Sequence, residues 1–235
     1  MKLLKLLLIM AVGGGLVYGG IQLLNSPALS LKTIELTGAT QEKVTVAEVT
    51  AAGRISKGRN LLEISTTGTA RRIETIPWIQ SAKVERIYPS KIRIEVALRT
   101  PAIVAVAAST PFIVDREGVV LEKGEAGLVH LLEMPLESLG PGDRIKLDQF
   151  VHSMRIFASL PPELREKLVV IRAPSLDRIT LELTEGTRII YGAAERLTAK
   201  NYSARRLLER YDGQGKILTS IDVRAPSRPA VLVRP

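Results

Sequence analysis

Residues 6–24 form a mostly apolar run of 19 residues without a charged side chain, and the chain stays uncharged through residue 30. As a helix this run is about 28 Å long, enough to cross a bilayer. Lys2 and Lys5 precede it, and positive charge beside a span is retained in the cytoplasm. Residues 1–5 are therefore expected inside as a short cytoplasmic tail, with the body of the chain outside. The competing reading is a cleaved signal peptide, with Ser26-Pro27-Ala28 as a small-x-small cleavage site. Apolar cores of signal peptides run to about 15 residues, so the longer run favours an uncleaved transmembrane helix over residues 6–24. Within it Gly15-Leu16-Val17-Tyr18-Gly19 has the small-xxx-small spacing, through which Gly15 and Gly19 would let a second membrane helix pack closely.

Residues 31–235 suffice for two modest domains. Removing Lys2 and Lys5 from the formal net charge of +9 leaves +7 on the exported part. Such a surplus suits acidic partner surfaces, anionic headgroups or nucleic acid, and an exported location disfavours the last. There is no cysteine, which excludes disulfides, thiol catalysis and thiolate metal sites.

The first domain reads over residues 31–99. Lys32-Thr33-Ile34-Glu35-Leu36 alternates as a half-buried strand, and Thr37-Gly38-Ala39 supplies a turn. Thr45-Val46-Ala47-Glu48 has the form of a capping box and predicts a short helix to about residue 52, ended by Gly53. A second helix is predicted over 66–76, stopping before Pro77. Strands over 81–88 and 91–98 follow, joined at Pro89-Ser90, with Ile92, Ile94, Val96 and Leu98 on one face of the second. The order is strand, helix, helix, strand, strand.

A β-α-α-β-β module of this size directly after a single N-terminal span resembles a POTRA domain. Ile34-Glu35-Leu36-Thr37-Gly38, Asn60-Leu61-Leu62, Ile76-Pro77-Trp78-Ile79-Gln80-Ser81-Ala82-Lys83-Val84 and Tyr88-Pro89-Ser90-Lys91-Ile92-Arg93-Ile94 are similar to the POTRA of the FtsQ/DivIB cell-division family. That family combines one membrane span, a POTRA and a following β domain.

Thr100-Pro101-Ala102 marks the boundary to a second domain, 100–235, read as a mixed β-sheet with two packed helices. Strands are predicted over 103–107, 112–114, 119–121, 168–172, 178–183, 188–191, 217–223 and 230–234, with a loop over 135–142. A helix over 147–160 is expected to bury Leu147, Phe150, Met154, Phe157 and Ala158, and Pro161-Pro162 to limit it. A second helix over 194–211 is expected to bury Leu197, Ala204, Leu208 and Tyr211, leaving Arg196, Lys200, Arg206 and Arg210 largely on other faces. The fold class is thus α+β. Phe112-Ile113-Val114-Asp115-Arg116-Glu117-Gly118-Val119-Val120, the helix entry from Gly192 to Lys200 and Ile221-Asp222-Val223-Arg224 resemble the β domain of the same family, so the likeness covers essentially the whole chain. Two departures stand out. Only five residues precede the span where members commonly carry a longer tail, and Ala225-Pro226-Ser227-Arg228-Pro229 replaces a turn that often contains glycine.

Residues for catalysis are sparse. His130 and His152 have no metal-ligand neighbour at helical spacing and read as satisfied structural side chains. Asp222 and Arg224 are placed two apart on a strand, as a local ion pair. Trp78 reads as a packing residue. Basic residues are scattered without interleaved aromatics, which make up 4% of the chain, so single-strand nucleic-acid stacking is disfavoured and the charge reads as a solvated face. No enzyme, cofactor, metal or small-molecule substrate is expected.

An interaction surface remains. The strand at 230–234 lies between Pro229 and Pro235, which cannot donate to a ladder and are tolerated chiefly at sheet edges. Physics alone leaves open whether this strand is an exposed edge or a covered one. The family resemblance implies a docking edge for bitopic FtsB-type and FtsL-type division proteins, with Arg224, Ala225, Ser227, Ala230, Val231, Leu232 and Val233 at the contact. It also implies further divisome contacts through the POTRA domain, at the septum of the plasma (inner) membrane. Two other classes compete: a POTRA-bearing chaperone or transport component, disfavoured because no barrel-forming train of strands follows, and a cell-wall hydrolase.

Overall fold

The computed structural model describes Met10, residues 12–15, 18–19, 27–38 and 42–234. The apolar run 6–24 lies for the most part outside the described residues. Among those described, no helix is long and apolar enough to cross a membrane. Gly15 and Gly19 are in helical backbone with open space around them. The chain divides into two units, Met1–Arg99 and Thr100–Pro235.

The first unit contains β1 (Thr33–Thr37), α1 (Val46–Gly53), a 3-10 turn (Leu61–Glu63), α2 (Thr66–Ile73), β2 (Ile79–Ile87) and β3 (Lys91–Leu98). Its three strands are ordered β1-β3-β2, with β1 parallel to β3 and β2 antiparallel to it. Alternation in β3 buries Ile92, Ile94 and Val96 against Val49 of α1, Leu61 of the 3-10 turn and Ile73 of α2, in the core of the unit. Trp78 packs against that core with the Lys43 ammonium 4.4 Å from its ring centroid.

The Thr45 hydroxyl accepts from the Glu48 amide at 3.1 Å and starts α1 as the motif predicts. The helix end differs. Gly53 is its buried last residue, and Arg54 takes the left-handed position that a glycine usually fills. The reason is packing: a Cβ on Gly53 would lie 3.2 Å from Ile55 and Ile73. α2 also closes early, at Ile73, because Thr75 and Ile76 turn into i to i−3 bonds ahead of Pro77.

The second unit contains β4 (Pro101–Ala107), β5 (Thr110–Asp115), β6 (Val120–Lys123), β7 (His130–Leu132), α3 (Asp148–Ser159), α4 (Pro162–Lys167), β8 (Leu168–Arg172), β9 (Thr180–Leu183), β10 (Arg188–Ile190), α5 (Leu197–Asp212), β11 (Leu218–Asp222) and β12 (Ala230–Val233). All nine strands join one mixed sheet in the order β12-β11-β10-β9-β8-β7-β4-β5-β6. Register aligns a single apolar row across it: Phe112, Ala105, Leu131, Ile171, Leu181, Ile189, Ile221 and Val231 are successive cross-strand partners. The first seven are buried, and Val231, half-buried, packs on the same core.

Several expectations are corrected. β7 stands in the middle of the sheet, parallel to β4 and β8, where no strand was expected. A third helix, α4, begins at Pro162: proline lacks only a donor that the first turn leaves unused, so the Pro161-Pro162 pair starts a helix as well as ending one. The buried face of α3 is rotated, with Ser153 and Ile156 buried and Ala158 exposed. Lys200 of α5 is only 3% exposed. Its ammonium donates to the Tyr191 and Ala193 carbonyls at 2.7 and 2.8 Å, which compensates the burial of its stem and charge. Burial holds its pKa below the usual lysine value.

Candidate partner-binding site

Among the described residues no group of three His, Asp or Glu side chains is arranged to hold a metal. His130 is half-buried in β7, with Nε2 3.9 Å from Glu125. His152 is not the satisfied side chain expected of it: its Nδ1 is buried with no hydrogen-bond partner among the described residues, as is the Ser153 hydroxyl beside it.

The region from Asp222 to Val233 is built differently, as a loop and an edge. Strand β11 ends at Asp222, so Arg224 lies in the following turn rather than on the strand. The ion pair forms all the same. Arg224 Nη2 is 2.6 Å from Asp222 Oδ2, Nε contacts both carboxylate oxygens at 3.1 and 3.0 Å, and the Arg224 amide donates to Oδ1 at 3.0 Å. These bonds fix a guanidinium that is itself well exposed, and they hold the Asp222 carboxyl below the usual carboxylate range. Gly192, with φ at +63°, lets Arg224 lie close: a Cβ there would meet the Arg224 stem at 3.1 Å.

The loop is tied from below. The Ser203 hydroxyl of α5 donates to the Pro226 carbonyl at 2.9 Å, the Arg196 guanidinium reaches the Arg224 carbonyl at 3.4 Å, and the Arg228 amide closes a turn on the Ala225 carbonyl at 2.9 Å. The loop therefore presents Ala225 and Ser227 on a braced backbone.

Beyond the loop β12 runs antiparallel to β11 and ends the sheet. Among the described residues no backbone group pairs with its outer side. Period-2 alternation divides the four candidates of the strand: Val231 and Val233 turn toward the core, while Ala230 and Leu232 face away, Leu232 being 58% exposed.

Two grooves flank the loop. One, of about 750 Å³, is crossed by Arg172, Arg178, Arg188 and Arg224, with Glu133 and Glu182 paired to Arg172. The other, of about 600 Å³, lies between α5 and the loop and includes Arg196, Tyr202, Arg206, Arg210 and Ser227, with no carboxylate in its lining. The α5 residues were read from sequence only as a solvated face. Tyr202, Arg206 and Arg210 recur at a spacing of four, which puts them on one ridge of the helix, and that spacing was the available signal.

The chain thus combines a β-α-α-β-β module with a following unit built on one mixed sheet that ends at β12. The FtsQ-type POTRA domain family matches residues 29–97. The cell division protein FtsQ of Mycobacterium tuberculosis (strain ATCC 25618 / H37Rv) is 31% identical over 229 residues, covering 97% of this chain and 68% of that protein. FtsQ of Mycolicibacterium smegmatis is 30% identical over 215 residues, and the chain spans 60% of its length while 90% of the chain is covered. FtsQ of Corynebacterium glutamicum is 26% identical over 190 residues, covering 80% of this chain and 82% of the relative. The chain belongs to the FtsQ family of cell division proteins.

Proposed function

We propose that this protein is a bitopic membrane scaffold of the divisome that binds partners and catalyses nothing. In this reading residues 6–24 span the plasma membrane with residues 1–5 in the cytoplasm, Gly15 and Gly19 face a second span, and the two folded units, 31–99 and 100–235, are exported at the septum. FtsB-type and FtsL-type partners dock on the β unit, and the POTRA unit makes further divisome contacts.

The open edge of β12 carries this proposal. A partner strand added there satisfies its outward amides and carbonyls, and Leu232 supplies an apolar side chain on the free face. Arg224 and the arginines of α5 supply positive charge for an acidic segment adjoining that strand.

The discriminating variant is Leu232→Lys rather than a change at Val231, because Leu232 leaves the core untouched. Titration of the full chain against an FtsB-type exported segment should show affinity reduced by about tenfold or more. Unchanged affinity of the folded variant would overturn docking at the edge.

A further inference from the structure

The rotated face of α3 creates a surface that the docking edge does not use. Val151 is 49% exposed, Ala158 is exposed, and with Phe150, Met154, Phe157 and Ile145 they floor a groove of about 460 Å³. Its rim carries Arg116 from the β5–β6 turn, Arg144 from the segment between β7 and α3, and Arg155 from α3 itself. The single carboxylate in the lining, Glu117, is engaged by Arg144 at 3.4 Å. Among the described residues Arg116 and Arg155 have no carboxylate partner.

The walls are fixed before anything binds. The Asp115 carboxylate accepts from the Glu117 and Val119 amides at 2.9 and 2.8 Å, locking the turn that carries Arg116. Gly118 brings this turn against both other walls, since a Cβ there would be 2.8 Å from the Ile145 carbonyl and 3.2 Å from the Phe150 ring. A preformed groove avoids the ordering cost that a flexible patch incurs on binding.

We infer that this groove is a second docking surface, and that its occupant is an acidic amphipathic helix of a partner protein. The apolar floor takes the partner's hydrophobic stripe. Arg116 and Arg155 take carboxylates on the flanks of that stripe, and exposed Ala158 leaves room for a large side chain. Val151, Met154 and Ala158 line up along two turns of α3, a length that matches two turns of a bound helix. A basic or neutral helix leaves the two arginines uncompensated over an apolar surface.

The test uses the full chain in nanodiscs of zwitterionic lipid and a fluorescent helical peptide of leucine and glutamate, about 14 residues long. The same peptide with lysine for glutamate is the control. The glutamate peptide should bind about tenfold or more tightly than the lysine peptide, and Arg116→Glu with Arg155→Glu should abolish or reverse that preference. Ala158→Asp should weaken the glutamate peptide with an unchanged melting temperature, whereas Leu232→Lys should leave its affinity as it was. Equal binding of the two peptides, or indifference to the double arginine variant, overturns the inference. So does displacement of the peptide by phosphatidylglycerol vesicles through the same two arginines, which would make the groove a lipid contact.

Discussion

The nine-stranded sheet ends differently at its two edges. At β6 the chain closes its own border: the Val120 amide donates to the Asp143 carbonyl at 2.9 Å, Gly142 donates back to Val120 at 2.8 Å, and Ile145 donates to Gly118 at 2.8 Å. At β12 the described residues supply no such segment, and the strand is short, flanked by prolines in the sequence and apolar at Leu232. Both edges carry the same backbone chemistry. An edge that must only be safe is sealed from within, while an edge left unsealed inside a folded unit is available for a partner's strand.

That contrast can be broken first at the sealed edge. Gly118 has φ at +85° and no room for a Cβ, so Gly118→Ala should destabilise the β unit by about 2 to 4 kcal/mol, read as a lower unfolding midpoint in urea. At the open edge Val231→Lys should cost about 1 to 2 kcal/mol, because Val231 ends the apolar row and packs on the core. Leu232→Lys, one residue on, should change stability by less than about 0.5 kcal/mol in the same measurement while lowering partner affinity. Equal destabilisation at 231 and 232 would mean that the alternation of β12 is wrong.

The smallest effect concerns the loop. Asp222 titrates lower in the folded protein than unfolded, so the stabilisation from its pair with Arg224 is fully present above the ordinary carboxylate value and is lost as pH falls through the lowered one. A carboxyl-carbon NMR titration should place the midpoint of Asp222 below the ordinary carboxylate value and move it upward in Arg224→Gln. The pair is partly solvent-exposed, so the effect on global stability should be slight.

How much of this was legible before folding follows from where each signal resides. Local chemistry was readable: Thr45 caps α1, and Ile92, Ile94 and Val96 share a face. The β7 strand was not, because its three residues carry no alternation and are defined by partners over 25 residues distant in sequence on either side. The phase of α3 failed because Ser153, polar by type, is buried, which turns Ile156 inward and Ala158 outward. Lys200 failed for a related reason: the carbonyls that satisfy its ammonium come from the chain just before α5, and composition cannot reveal them. At the candidate site the prolines left an exposed and a covered edge equally open, the phase that turns Val231 inward and Leu232 outward is set by pairing with β11, and the spacing of four in α5 marks a ridge without showing that the loop after β11 lies beside it.

Asn201 accepts from the Tyr191 hydroxyl at 2.6 Å and donates to the Ser159 carbonyl at the end of α3 at 2.7 Å, while Ser203 of the same helix holds the Pro226 carbonyl. Helix α5 is thus pinned at once to the helix that floors the arginine-rimmed groove and to the loop that leads into the open strand. The span between the two surfaces is set by the fold. For a partner assembly able to reach both, the first contact converts the second into an intramolecular event, with an effective concentration in the millimolar range when the connecting segment matches that span. Two individually weak contacts would then give a long-lived complex, and shortening the connection would dissolve it without altering a single contacting residue.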